Sequence, residues 1–354
     1  MAGFIKEDEI HEMITNTLHP SDFVVEAVLE GARKLQGLTP YQASILLNIE
    51  KEEHLQKLFF TANYAKDKIY GNRLVIFAPL YVSSYCSNNC LYCGFRKDNN
   101  DVVRKKLSKE EIEKETVALL EQGHKRVLML MGEHSSACSF DEFYEAMDVV
   151  YKTRDSKGSS IRRVNVEIAP LTVEEFQTLQ DKPIGTYTVF QETYHSPTYK
   201  AMHPSGKKHD YLWRLETMDR ALGNGLHDVG IGALFGLYDY RFEAIALLEH
   251  AYHLEEKFGV GPHTISIPRV EKAHNAPATI DIPHEVSDRD FKKLVSVLRC
   301  AVPYTGLILS TRESADMRHQ LFDLGISQIS AGSRTNPGAY DALKRNELEQ
   351  AQFS

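Results

Sequence analysis

From residue 73 onward the chain alternates short apolar runs with amphipathic stretches, and this alternation constrains the fold more than any other feature. RLVIFAPLYVS (73–83), RVLMLMG (126–132), RRVNVEIAP (162–170), IGTYTVFQE (184–192), HDVGIGALFG (227–236), HTISIPR (263–269), TGLILST (305–311) and ISQISAG (326–332) read as strands. Helical stretches separate them, at 108–123, 139–153, 172–180, 209–225, 240–259, near 287–301 and 313–325. Ser108, with Glu111 three residues on, predicts a capped helix start, and Gly123 its close. Eight strands with intervening helices predict an α/β fold, a closed (β/α)8 TIM-type barrel. A doubly wound open sheet is the alternative and would require about two of these strands to be lost. Residues 1–70 read as an N-terminal helical extension, with DFVVEAVLEGARKLQ and PYQASILLNI at helical spacing. Residues 71–354 form the barrel domain in this reading.

The chemistry concentrates in YCSNNCLYCGF (85–95), where Cys86, Cys90 and Cys93 are spaced C-x3-C-x2-C. Three thiolates cannot complete a four-coordinate zinc shell, although they could be half of one. They can hold three irons of a cubane cluster and leave the fourth open to a small molecule. Cys138 and Cys300 are isolated and read as buried small residues. The odd count, five, argues against a disulfide framework. The Cys loop follows the first strand. Other polar and glycine-rich residues also fall at strand C-terminal ends: GEH, QETYH, GIG, PR and STRE. In a barrel all of these meet on one face.

Composition excludes other classes. A net charge of −8 with no Lys/Arg stripe argues against a nucleic-acid partner. No run reaches the ~18 apolar residues of a membrane span, and the N-terminus has no signal-peptide pattern. The expectation is a soluble cytoplasmic protein.

The segments APLYVSSYCSNNCLYCGFR, FQETYHSPTYKAMHPSGKKHDY, DVGIGALFGLYDYRFE, FGVGPHTISIPR, LSTRES and ISAGSRTNPGAY resemble the radical S-adenosylmethionine (SAM) aromatic-amino-acid lyases, most closely the tyrosine lyases of [FeFe]-hydrogenase maturation. QETYH and STRE also fit the thiamine-pathway tyrosine lyases (2-iminoacetate synthases), which are the alternative. From a different class, a non-catalytic iron–sulfur scaffold is the other alternative. The resemblance implies a [4Fe–4S] cluster on Cys86, Cys90 and Cys93, with SAM as second cofactor. It implies L-tyrosine as substrate, cleaved at Cα–Cβ to p-cresol and dehydroglycine. A one-electron donor such as ferredoxin or flavodoxin, and hydrogenase-maturation proteins, are the implied partners.

The same resemblance implies site residues. Tyr92 borders the SAM adenine, and Gly132 and Glu133 receive the SAM amino group. Glu192 meets a ribose hydroxyl or the methionine ammonium, and Arg214 the SAM carboxylate. Gly230 and Gly232 flatten the fifth strand against the adenine. Arg312, with Ser310 beside it, and then Arg269 clamp the substrate carboxylate. The bland alternatives are surface ion pairs: Arg214 with Glu216 or Asp219, Arg312 with Glu313. His195, His203 and His263 are given no catalytic role. The hydrogenase-maturation lyases continue into a C-terminal domain with a second cluster. EQAQFS (349–354) stands where that segment leads in, so the expectation is a chain without that domain that makes little CO.

Overall fold

The computed structural model describes residues 3–344, so EQAQFS lies outside the described residues. The strands are β1 Val75–Ser83, β2 Arg126–Met131, β3 Arg163–Glu167, β4 Ile184–Thr188, β5 Val229–Gly232, β6 Thr264–Ser266, β7 Gly306–Leu309 and β8 Gln328–Ser330. They form a closed barrel in chain order, and every neighbouring pair is parallel. β8 closes on β1 through Val75↔Gln328, Ile76↔Ile329 and Phe77↔Ser330. Parallel strands covered by helices are buried on both faces, which is why runs such as VIFAPLYVS and RVLMLM are apolar almost throughout, while β3 keeps a polar residue at every second position.

The expected helices form, several with the caps the sequence announces. Lys109–Glu121 starts in a capping box: the Ser108 hydroxyl accepts from the Glu111 N–H, and the Glu111 carboxylate accepts from the Ser108 N–H. Gly123 follows at φ +93°, a conformation that strains any residue with a Cβ. The stretch at 209–225 differs from its reading as one helix. It is broken at Glu216 into Tyr211–Leu215 and Thr217–Gly223.

Residues before the barrel form helices Glu7–Asn16, Asp22–Ala32, Pro40–Leu47 and Glu52–Tyr70. Their apolar residues, among them Ile10, Leu46 and Leu58, belong to the same continuous core as the barrel. The fully buried Lys293 ammonium donates to the Ile49 carbonyl at 3.2 Å and lies 3.5 Å from the Glu50 carboxylate. Among the described residues, no helix is long and apolar enough to cross a membrane.

His250, in helix Tyr240–Phe258, is buried with Nδ1 2.8 Å from the Tyr194 hydroxyl. Burial lowers its pKa from 6.5 to about 3. Below pH 6.5 the unfolded chain therefore binds a proton that the folded chain refuses, and stability falls with pH there. The expected contribution is up to about 1.4 kcal/mol per pH unit below that point. His250→Phe should flatten the slope, read as denaturation midpoints at pH 5.5 and 7.

Candidate active site

The C-terminal ends of the strands open into one cavity of about 280 Å³, far larger than a single water needs. It runs from the Cys loop into the upper barrel. Cys86, Cys90, Tyr92, Cys93, Gly132, Glu133, Glu192, Arg214, Ser310 and Arg312 all line it. Ten of the thirteen site residues expected from sequence thus converge on one space.

The Cys loop, residues 84–107, is pinned from several sides. Arg104 donates to four of its carbonyls: Ser84 at 2.9 Å, Phe95 at 2.7 Å, Arg96 at 2.7 Å and Asn99 at 3.3 Å. On the outer side, the N–H groups of Asn89 and Leu91 donate to Ser205 and Met202. The turn after β2 holds the other flank. The Glu133 carbonyl accepts from the Ser87 N–H and hydroxyl, each at 2.8 Å, and its carboxylate accepts from the Asn88 amide at 2.6 Å. Gly132 is needed for close approach: a Cβ there would stand 2.3 Å from the Tyr85 carbonyl oxygen. Arg104→Met should remove the donor that ties these four carbonyls together, although the Arg96 carbonyl keeps the Asn99 N–H, and loosen this loop. The expected result is a 10- to 100-fold weaker hold on iron, the usual cost of losing an outer-shell partner. Iron per chain after gel filtration of the reconstituted protein measures it.

The five cysteines are free thiols. Burial pushes the Cys90 thiol up to about 12, against the pull of Lys208. Such a thiol loses its proton only to a bound metal. Cys300 is fully buried within helix Asp288–Ala301, and neither it nor Cys138 lines this cavity. Among the described residues, no three His, Cys, Asp or Glu side chains converge on one point as ligands of a single ion would. Three thiols on one cavity wall suit a cubane, in which each binds a different iron and the fourth iron stays open.

Next to the loop stands a charged trio. Glu192, at the end of the β4 segment, adopts φ +73° and pairs with Lys208 at 2.5 Å and Arg214 at 3.7 Å. The Arg214 Nε also donates to the Phe190 carbonyl at 2.6 Å. Asp219 is instead engaged by His253 at 2.8 Å and Lys257 at 2.5 Å. Two cations against one carboxylate leave a net positive charge facing the cavity, suited to an anionic group. The Tyr92 hydroxyl is 2.7 Å from His203 Nε2, and His203 Nδ1 is 2.7 Å from the Tyr199 carbonyl. That carbonyl only accepts, so Nδ1 carries the proton and Nε2 accepts from Tyr92. Burial and the Lys208 charge hold His203 well below its usual range, so it is a neutral structural residue.

Three of the expected residues are not among those that line the cavity. Arg269 does not line the cavity. Its guanidinium pairs with Glu313 and with Asp288 at 2.9 Å, donates to the Val286 carbonyl, and lies 4.7 Å from the Phe291 ring centre. It is a rim cross-link, fixed by acids that lie far from it in sequence. Gly230 and Gly232 are inside β5, next to the lining residues Thr188, Phe190 and Ser266 but not themselves lining the cavity. A Cβ on Gly230 would meet Thr264 Oγ1 at 2.5 Å and Thr188 Oγ1 at 2.8 Å, and one on Gly232 would meet the Phe190 ring at 2.9 Å. They make room for neighbouring strands' side chains.

Sequence reasoning missed two residues of the cavity wall, Lys208 and Glu167. Lys208 stands on a short 3-10 turn within PSGKKH and has no periodic signal. Glu167 was readable in principle, because Arg163, Asn165 and Glu167 put a polar residue at every second position of a barrel strand.

Similarity to known proteins agrees with this geometry. The family model for the radical SAM superfamily matches residues 80–251, and that for the biotin and thiamin synthesis associated domain matches residues 266–352. The 2-iminoacetate synthase of Escherichia coli (strain K12) is 33% identical over 92% of this chain and 83% of its own length. The crystal structure of HydG, a maturase of the [FeFe]-hydrogenase, superposes with TM-score 0.94 at 50% identity, covering 100% of this chain and 77% of that one. HydG from Carboxydothermus hydrogenoformans gives TM-score 0.88 at 40% identity, covering 98% and 78%. With its cofactor pair of a [4Fe–4S] cluster and SAM, the chain belongs to the radical SAM superfamily, in the aromatic-amino-acid lyase family that includes HydG.

Proposed function

We propose that this chain is the tyrosine lyase of [FeFe]-hydrogenase maturation, breaking the Cα–Cβ bond of L-tyrosine to give p-cresol and dehydroglycine. The observation that carries the reading is the likeness to HydG, 50% identical over the whole of this chain. The same cleavage yields 2-iminoacetate, another name for dehydroglycine, so the 33% identity to 2-iminoacetate synthase supports the chemistry and favours the thiamine-pathway role as second reading.

When bound, the cluster and SAM supply a 5′-deoxyadenosyl radical after one electron from a low-potential donor. Cys86, Cys90 and Cys93 hold the cluster. The Gly132–Glu133 turn receives the SAM ammonium, Arg214 and Lys208 its carboxylate, and Glu192 a ribose hydroxyl, with Tyr92 bordering the adenine. Arg312, steadied by its Nε–H donating to Ser310 Oγ at 2.9 Å, clamps the substrate carboxylate. The barrel walls keep water away from the reacting atoms.

Anaerobic reconstitution with SAM, dithionite and L-tyrosine tests the reading. p-Cresol and 5′-deoxyadenosine should appear together. An iron–sulfur scaffold would release neither.

A further inference from the structure

Glu167 ends β3 and lines the cavity. Strand register sets Tyr81, Leu130, Glu167 and Thr188 side by side around the barrel, one layer below the Cys loop. Arg312 lines the same space from the segment after β7. The other carboxylates at this mouth are committed: Glu192 to Lys208 and Arg214, Glu133 to Asn88, Glu313 to Arg269. The Glu167 carboxylate makes no hydrogen bond or close ion pair to the described residues; Lys208, Arg214 and Arg312 act on it only from a distance. Facing the cavity without a partner in contact, this carboxylate has its oxygens open to a ligand cation.

We propose that Glu167 receives the α-ammonium of the substrate, so that Glu167 and Arg312 together recognise a zwitterionic amino acid. This rests on the tyrosine reading above. The two groups are charge-coupled across the cavity, and the Tyr81 hydroxyl feels both. Burial, then the Glu192 carboxylate, push the Glu167 carboxyl up to about 7, while Lys208, Arg214 and Arg312 pull it down. An arriving ammonium stabilises the ionised form, so binding should strengthen as pH rises through about 7. The cations Lys208 and Arg214 are already neutralised in part by Glu192, and Glu271, which also acts on Arg312, does not line the cavity, which leaves Glu167 the acid available to the substrate amine.

The test is anaerobic calorimetry on the reconstituted, SAM-bound protein, using L-tyrosine and 3-(4-hydroxyphenyl)propanoate, which keeps the carboxylate and phenol but lacks the amine. Glu167→Gln preserves shape and should weaken L-tyrosine at least tenfold. Its affinity for the propanoate should be unchanged or higher, which also shows that the variant is folded. The rise of tyrosine affinity with pH should vanish in the variant. Unchanged tyrosine affinity, or equal weakening of both ligands, overturns the assignment alone. A parent protein that binds no L-tyrosine overturns the substrate reading and the assignment with it.

Discussion

Cys90→Ala is expected to abolish 5′-deoxyadenosine formation, and Cys86→Ala and Cys93→Ala to do the same. Three thiols on one cavity wall are the minimum for a cubane with one open iron, and no other cysteine lines that cavity to substitute. The loss should be complete rather than graded, because a cluster missing one of three ligands is not retained. Iron and sulfide per chain, together with chromatography of the SAM products, measure it. Cys138→Ala and Cys300→Ala should cleave SAM like the parent, with Cys300→Ala costing on the order of 1 kcal/mol of stability for the void it leaves. Deoxyadenosine at the parent's rate from Cys90→Ala would sink the cluster assignment.

Arg312→Ala should cut L-tyrosine affinity while SAM binding persists. Truncating one partner of a buried charge-assisted pair costs on the order of 2–5 kcal/mol, roughly 30-fold to several-thousand-fold in affinity. Ser310→Ala should cost less, since it removes one hydrogen bond to Nε and leaves the guanidinium in place. Separate titrations with tyrosine and SAM read the outcome. If SAM affinity fell and tyrosine affinity held, the roles of Arg312 and Arg214 would be exchanged.

The barrel was legible because buried parallel strands leave short, mainly apolar runs between helical stretches, and eight such runs admit few architectures. Strand ends were less legible. QETYH continues the fourth run in sequence, yet β4 ends at Thr188 and only isolated hydrogen bonds to β5 carry the chain on to Glu192 at the cavity. Where motif and strand end coincided, as at Cys86, Glu192 and Arg312, the residues do converge on one cavity. Arg269 does not join them, and nothing local shows that Glu313 and Asp288 fold back onto it. For the β5 glycines, sequence cannot separate a glycine that admits a ligand from one that admits a neighbouring threonine, and the strand packing accounts for both. Lys208 was hidden by its loop: a lysine in a polar turn reads as solvated until tertiary structure turns it inward.

Closure of the barrel on its first strand sets a timetable for assembly. Val75 must wait for Gln328 before β1 gains its second neighbour. The chain joining them spans some 250 residues, and contacts so distant in sequence form late. On a ribosome adding about 5–20 residues per second, the Cys loop would emerge many seconds before the wall that shelters it. In that interval three thiols lie open to oxygen and stray metal. Installation of the cluster is therefore expected to follow release of the finished chain, and to depend on how quickly β8 finds β1.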